Sequence, residues 1–158
     1  MKIKILANIF SSGFGVGNLK YFPGTLASFF ILPIVWFIKE NIDLKYFLLI
    51  IFIYTCISIF LVSICIKELN EKDPKFIVVD EHIGQAISLI FCDQKILEYL
   101  LSFVLFRFFD IVKPFPISFV DKNIKNSFGV ILDDVLAGVI VCIIIFCLIY
   151  VNDNKQFN

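Results

Sequence analysis

Long tracts without a charged residue constrain this chain more than any other feature. Tyr46–Ile66 is 21 residues without a charge, which as a helix crosses a hydrocarbon core of about 30 Å. Val135–Val151 adds 17 uncharged residues, and Leu26–Ile38 adds 13, which reach spanning length if the helix starts at Pro23. The chain is 59% hydrophobic, above the roughly 45–50% of soluble domains. These tracts predict an all-α integral membrane protein.

The stretch between residues 83 and 109 is apolar but interrupted by charges. It is read either as one long span or as two short helices in a hairpin that enters the membrane partway. A hairpin places the three polar clusters at Asp80/Glu81, Arg107/Asp110 and Asp133/Asp134 at one membrane face, whereas one span would separate them. We therefore predict a single compact multi-helix domain over residues 1–158, with about three full spans plus a short helical hairpin; four full spans are the alternative.

Basic residues are distributed unequally between the two predicted faces. Ten lie on the side of the polar clusters: Lys2, Lys4, Lys20, Lys67, Lys72, Lys75, Arg107, Lys113, Lys122 and Lys125. Four lie on the other side: Lys39, Lys45, Lys95 and Lys155. Cytoplasmic loops carry the excess of Lys and Arg, so the polar clusters are predicted to face the cytoplasm. The formal net charge is zero and no basic stripe is present, so no nucleic-acid partner is expected.

Two adjacent acid pairs are candidates for metal binding. Asp80 and Glu81 follow an apolar run and begin a predicted helix, where acids are favourable even without a function. Asp133 and Asp134 precede the last uncharged tract, and helix N-capping explains at most one of them. Because like charges near hydrocarbon are costly, a bound cation is the better explanation for both.

A third polar segment combines cations with an acid. Arg107, Asp110 and Lys113 are spaced three residues apart, so they follow roughly one helix face until Pro114 and Pro116 end the helix. Arg107 is the only arginine, and its planar fork suits phosphate. An interfacial salt bridge is the simpler reading for one pair, but three charges flanked by Phe favour a phosphate-binding role for Arg107 and Lys113.

The glycine-rich segment 13–17 and the Pro23-Gly24-Thr25 turn precede the first apolar tract. A helix beginning there, with free N–H groups and the hydroxyls of Thr25 and Ser28, is able to hold an anion. Pro-Gly also marks ordinary loops, so this signal is weak alone. His82, the single histidine, is expected at the surface, with a role beside the acids as the less favoured alternative.

Together these residues describe the chemistry of a metal-dependent phosphatase. The carboxylates of Asp80, Glu81, Asp110, Asp133 and Asp134 are hard oxygen ligands of the kind Mg²⁺ takes, and they are the predicted metal and catalytic residues. A bound Mg²⁺ activates water and neutralises phosphoryl charge. A small transporter or ion-pathway subunit is the main alternative, because membrane acids also mark such pathways. A non-enzymatic scaffold is a third reading, but it gives no reason for adjacent acids.

The same segments resemble the phosphatidylglycerophosphatase A family. The likeness rests on Pro-Gly-Thr-x-x-Ser from Pro23, Asp-Glu-x-x-Gly from Asp80, Phe-Arg-x-x-Asp-x-x-Lys-Pro-x-Pro from Phe106 and Asp-Asp-x-x-Ala-Gly from Asp133. The resemblance implies Mg²⁺-dependent hydrolysis of phosphatidylglycerophosphate to phosphatidylglycerol, in a multi-pass protein of the bacterial cytoplasmic membrane. Departures from the family pattern occur at Lys20, Ala27 and Asn126-Ser127. Oligomeric state does not follow from the sequence.

Overall fold

The structure is a computed structural model that describes residues 2–69 and 74–156, with side chains as far as residue 151. It is all-helical over these residues, as predicted, and contains no strand there. In chain order the α-helices are α1 (Lys2–Ser11), α2 (Pro23–Asn41), α3 (Leu44–Leu69), α4 (Val79–Ser88), α5 (Ile96–Val112), α6 (Ile117–Asn123) and α7 (Ser127–Gln156). A single 3₁₀ turn, Val16–Asn18, lies between α1 and α2.

Three helices are long and apolar enough to cross a membrane: Pro23–Asn41, Leu44–Leu69 and Ser127–Val151. Their outer faces carry exposed large apolar side chains such as Phe37 and Phe52, which is the pattern expected where lipid replaces water as the solvent. The helix α2 begins at Pro23, the first-turn position that proline favours, so it includes the Pro-Gly-Thr segment that its spanning length required.

The last helix begins earlier than the uncharged tract indicates. Because α7 starts at Ser127, Asp133 and Asp134 lie about two turns inside it. Neither is therefore an N-cap, and helix capping is excluded as the reason for these adjacent acids. Both side chains are buried.

The short helix α4 occupies the centre of the bundle. Nine of its ten residues are buried, and α2, α3, α5 and α7 all pack against it. After α4 the chain turns beside the last two turns of α2, where the Lys39 ammonium donates to the carbonyl oxygens of Leu89, Ile90 and Cys92 at 2.8, 3.1 and 2.5 Å. Lys39 thereby supplies donors to carbonyls just beyond the end of α4, of which that of Leu89 also accepts from the Cys92 N–H. Helix α5 then returns, so the predicted hairpin is confirmed.

Two glycines set the distance between α4 and α7. A Cβ atom built on Gly138 would overlap the carbonyl oxygen of Gly84, and one built on Gly84 would overlap the Phe106 ring and the carbonyl oxygen of Asp134. Small residues allow such close backbone approach between helices in membranes. Gly84 follows Asp80 by four residues, and Gly138 follows Asp134 by four. Each glycine therefore lies one turn from an acid on the same helix face.

Candidate active site

The two acid pairs meet where α4 begins beside α7. One oxygen atom from each of Asp80, Glu81 and Asp134 lies within 4.8 Å of the other two. Asp80 and Asp134 are 9% and 4% exposed, although acidic side chains are rarely buried without a partner. The structure thus brings together three of the five predicted metal ligands from segments more than fifty residues apart.

The electrostatics of this acid cluster favour a cation. Burial raises the pKa of Asp80 well above its usual range, and the neighbouring Glu81, Asp134 and Asp133 carboxylates raise it further. Burial also raises the pKa of Glu81, while a hydrogen bond with Asp80 and the Arg107 charge oppose the increase. Within the described part of the chain, neither Asp80 nor Asp134 has an ion pair with a Lys or Arg. The repulsion is therefore compensated only in part by protein cations.

The fourth predicted ligand, Asp110, is held by Arg107. The Arg107 guanidinium lies 2.6 Å from Asp110 one turn further along α5, and 3.9 Å from Glu81. It also donates to the hydroxyl of Ser28 at 3.3 Å. Arg107 therefore joins α2, α4 and α5, and it partly neutralises Asp110 and one member of the acid cluster, Glu81.

The fifth predicted ligand, Asp133, is held by Lys113. The chain ends α5 at Val112 and adopts a left-handed conformation at Lys113, which directs this lysine toward α6 and α7 instead of along the Arg107 face. Its ammonium donates to Asp133 at 2.5 Å and to Asp121 at 2.9 Å. Burial alone would lower the pKa of Lys113, but these two carboxylates outweigh burial and raise the pKa above its usual range.

A cavity of about 330 Å³ opens above the acid cluster. It is lined by the five predicted carboxylates, by Lys113, and by three charged residues that the sequence analysis did not select: Lys75, Asp121 and Lys125. Asp121 belongs to the charge-rich region that runs from Arg107 to Asp134. Its place in that region, eight residues after Lys113 and beyond Pro114 and Pro116, is the sequence signal by which it could have been found.

The predicted anion-binding turn is placed differently. Ser28 is buried beside Arg107 and donates to the Gly24 carbonyl at 2.9 Å, while Thr25 does not line the cavity. The backbone N–H groups of residues 13–18 are all bonded to carbonyl oxygens between residues 9 and 15, so this loop offers none of them to an anion. Gly24 instead has a packing role, because a Cβ there would overlap the Glu81 carboxylate.

His82 is buried, with 8% of its surface exposed, so the expected surface position is wrong. Its Nδ1 lies 3.2 Å from the Tyr54 hydroxyl, and burial lowers its pKa to about 4. It contacts the segment around Gly13 and does not line the cavity. His82 therefore supports the packing of α4 against α3.

The donor set of the acid cluster fits a hard divalent cation. Its ligand atoms are all carboxylate oxygens, which Mg²⁺ prefers. The buried Oε2 atom of Glu81 and Oδ1 atom of Asp133 have no hydrogen-bond partner in the described residues, and a buried carboxylate oxygen rarely lacks one. Asp80, Glu81 and Asp134 are the residues able to hold such an ion directly.

Comparison with known proteins agrees with these features. The profile of the family described as "Phosphatidylglycerophosphatase A" matches residues 9–149. The chain is 32% identical to phosphatidylglycerophosphatase A of Haemophilus influenzae over 152 residues, covering 94% of this chain and 93% of that protein. It is 31% identical to phosphatidylglycerophosphatase A of Escherichia coli K12 over 134 residues, covering 84% and 77%.

A third relative carries a different lipid in its name. A Bacteroides thetaiotaomicron protein, provisionally named a phosphatidylinositol-3-phosphatase, is 32% identical over 144 residues, covering 83% of this chain and 86% of that protein. No solved structure matches the chain. The extent of the family match and the identity to full-length relatives establish that this chain is a phosphatase of the phosphatidylglycerophosphatase A family.

Proposed function

We propose that this protein hydrolyses the terminal phosphate of phosphatidylglycerophosphate, giving phosphatidylglycerol and inorganic phosphate, with Mg²⁺ as its cofactor. The observation that carries the proposal is the convergence of Asp80, Glu81 and Asp134 beneath a cavity at one end of a bundle with three candidate spans. A site at the end of such spans lies at the depth of lipid headgroups, where the phosphate of a membrane lipid is found.

In this proposal Asp80, Glu81 and Asp134 hold the metal ion, and Asp110 and Asp133 complete the acidic wall around it. When bound, Mg²⁺ supplies an activated water molecule and neutralises charge on the phosphoryl group. The reaction breaks the bond between phosphorus and the glycerol oxygen, transfers a water oxygen to phosphorus and leaves a proton on the new glycerol hydroxyl. Positioning and charge stabilisation dominate such a reaction.

Lys113 is the protein's own phosphate-binding cation in this scheme. A lysine ammonium has three N–H donors, of which Asp133 and Asp121 accept two. The third has no acceptor among the residues that the structure describes, so it can donate to a phosphate oxygen in the cavity that Lys113 lines. Arg107 acts from behind the cavity, because its contacts fix the orientation of the Asp110 and Glu81 carboxylates. Its charge also opposes the increase that burial causes in the pKa of Glu81.

The proposal includes the location of the enzyme. The relatives are bacterial, and the basic residues predicted on the side of the site outnumber those on the opposite side, which favours the cytoplasmic face of the inner membrane. Of the residues in that comparison, Lys72 and the Lys155 side chain lie outside the described part of the structure. Site-directed labelling of single-cysteine variants in intact and opened cells tests this orientation.

The transporter alternative has less support. An ion pathway calls for acids distributed through the membrane depth. The described acidic side chains instead lie toward the two ends of the bundle. The six around the active-site cavity and Glu68 lie at one end, and Glu40, Asp43, Asp93 and Glu98 lie at the other. Phosphate-independent ion flux in proteoliposomes, without phosphatase activity, would restore that alternative.

The test is hydrolysis by the purified protein in detergent of phosphatidylglycerophosphate, phosphatidic acid and phosphatidylinositol 3-phosphate, with Mg²⁺ and with chelator. We expect release of phosphate from phosphatidylglycerophosphate that requires Mg²⁺. Asp134→Asn should abolish most turnover, whereas Asp43→Asn, which changes an exposed acid at the opposite end, should not. Undiminished activity in chelator would refute the metal, and a preference for another lipid would refute the substrate.

A further inference from the structure

A second, shallow cavity adjoins the active-site cavity. It has a volume of about 560 Å³ and shares Pro23 and Lys75 with the first cavity. Lys20 and Lys75 provide its charges, and we call it the basic basin. The two segments that carry these lysines are in direct contact. Gly17, three residues before Lys20, packs so closely on the backbone of Phe76, the residue after Lys75, that a Cβ there would overlap the Phe76 carbonyl oxygen.

The two cavities differ in charge. The active-site cavity is lined by six carboxylates and three lysines, whereas no acid among the residues that the structure describes lines the basic basin. Lys20 and Lys75 are exposed, and neither forms an ion pair within the described residues. A phosphate beside the acid cluster meets repulsion that a metal ion must offset, whereas both charged side chains that the structure describes around the basin are cations.

We propose that Lys20 and Lys75 bind the second phosphate of the substrate, the phosphodiester that joins its headgroup to diacylglycerol. This inference rests on the proposed function and adds a substrate class to it: membrane lipids that carry a phosphodiester as well as a terminal phosphomonoester. The terminal phosphate occupies the active-site cavity, and the phosphodiester lies across Pro23 in the basic basin.

The arrangement gives the enzyme a means of selection. Phosphatidic acid has a phosphomonoester attached directly to diacylglycerol and no phosphodiester, so it leaves the basic basin without an anion. Phosphatidylglycerophosphate fills both cavities. Because the phosphodiester does not change its charge during the reaction, its contact with the two lysines contributes to substrate binding and transition-state binding alike. Loss of the lysines therefore raises KM and leaves kcat unchanged.

The kinetic test compares the double variant K20A/K75A with Lys122→Ala. Lys122 is an exposed lysine on α6 that lines neither cavity, so its removal controls for general attraction to anionic membranes. We expect K20A/K75A to raise the KM for phosphatidylglycerophosphate about tenfold, equivalent to about 1.4 kcal/mol. The rise for phosphatidic acid should be clearly smaller, because of the two lysines only Lys75 also lines the active-site cavity. An equal rise for both lipids, or the same rise in Lys122→Ala, would overturn the proposal.

A binding experiment separates this inference from the proposed function. Calorimetric titration of the full-length protein in detergent with Mg²⁺ would compare glycerol 1,3-bisphosphate with glycerol 3-phosphate. We expect tighter binding of the bisphosphate by the unmodified protein and loss of that preference in K20A/K75A, whether or not the protein hydrolyses phosphatidylglycerophosphate. Equal affinity for the two probes in the unmodified protein overturns the inference even if the phosphatase activity is established.

Discussion

The contact between Gly84 and Gly138 predicts that a single added carbon atom impairs catalysis more than folding. A Cβ on Gly138 would lie 2.3 Å from the carbonyl oxygen of Gly84, whereas non-bonded heavy atoms prefer about 3.5 Å or more. In Gly138→Ala, α4 and α7 must therefore separate by about 1 Å. Asp80 and Asp134 lie one turn away on these helices, so their carboxylates separate as well.

The expected magnitudes distinguish the two effects. Overpacking costs about 1–3 kcal/mol, and replacing a helical glycine by alanine recovers about 0.5–1 kcal/mol. The net loss is about 0–2.5 kcal/mol, which leaves a domain of ordinary stability folded. Misplacement of reacting groups by about 1 Å reduces turnover roughly a hundredfold. Gly138→Ala should therefore be folded but poorly active.

The assay pairs phosphate release with thermal unfolding in the same detergent. Val139→Ile is the matched control, because it also adds one carbon atom to α7, at a neighbouring residue that is 39% exposed. We expect the control to retain the activity and melting temperature of the unmodified protein. Our reasoning is refuted if Gly138→Ala keeps more than half of the original turnover, or if its loss of activity only follows a loss of folded protein.

Three further predictions concern charges at the site. Asp134→Asn should lower kcat by about 10³ while the melting temperature is maintained, and a phosphate-release rate near that of the unmodified protein would remove Asp134 from the proposed site. Arg107→Ala leaves two poorly exposed carboxylates without their cation and should destabilise the protein by about 3–5 kcal/mol, whereas Arg107→Lys should cost less; equal melting temperatures would contradict this. The hydrogen bond from Lys113 lowers the pKa of Asp121 in the folded protein. The stabilisation from this pair is therefore fully present above the ordinary carboxyl pKa, and it is lost as the pH falls through the lowered pKa of the folded state. Asp121→Asn should therefore lower the free energy of unfolding by less than about 1 kcal/mol at neutral pH, and the melting temperatures of the variant and the unmodified protein should converge in acid. A difference in melting temperature that grows in acid would contradict the pairing of Asp121 with Lys113.

Features that depend on local sequence were predictable. Tract length and the position of charges located α2 and α3 to within a few residues, because hydrophobic spans require a minimum length. The start of α7 was not located in this way, because the helix begins at Ser127, well before the uncharged tract at Val135. Because buried charges must be compensated, the sequence predicted that Asp80 and Asp134 lie at one end of the bundle. This condition favoured the helical hairpin over a single long span between residues 83 and 109. The convergence of the acid pairs therefore follows from the order of charged and uncharged residues along the chain.

The pairing of charges could not be predicted in the same way. Arg107 and Lys113 have long side chains with many rotamers, so periodicity alone does not decide whether they face a phosphate or a carboxylate. The left-handed conformation at Lys113 directs it to Asp133 and Asp121, and no spacing rule indicates that turn. The match of Gly84 with Gly138 is also a property of two distant segments, which becomes visible only when their helices cross.

The shortness of α4 has a consequence for how the protein is inserted into the membrane. With ten residues and two acids in its first turn, α4 is too short and too polar to enter a bilayer by itself, so it depends on neighbouring helices for insertion. Its glycine partner belongs to α7, which follows α4 in the chain and is therefore synthesised after it. A nascent or truncated chain that does not yet include α7 lacks one wall of the acid cluster, so the predicted metal site forms only after α7 has been made.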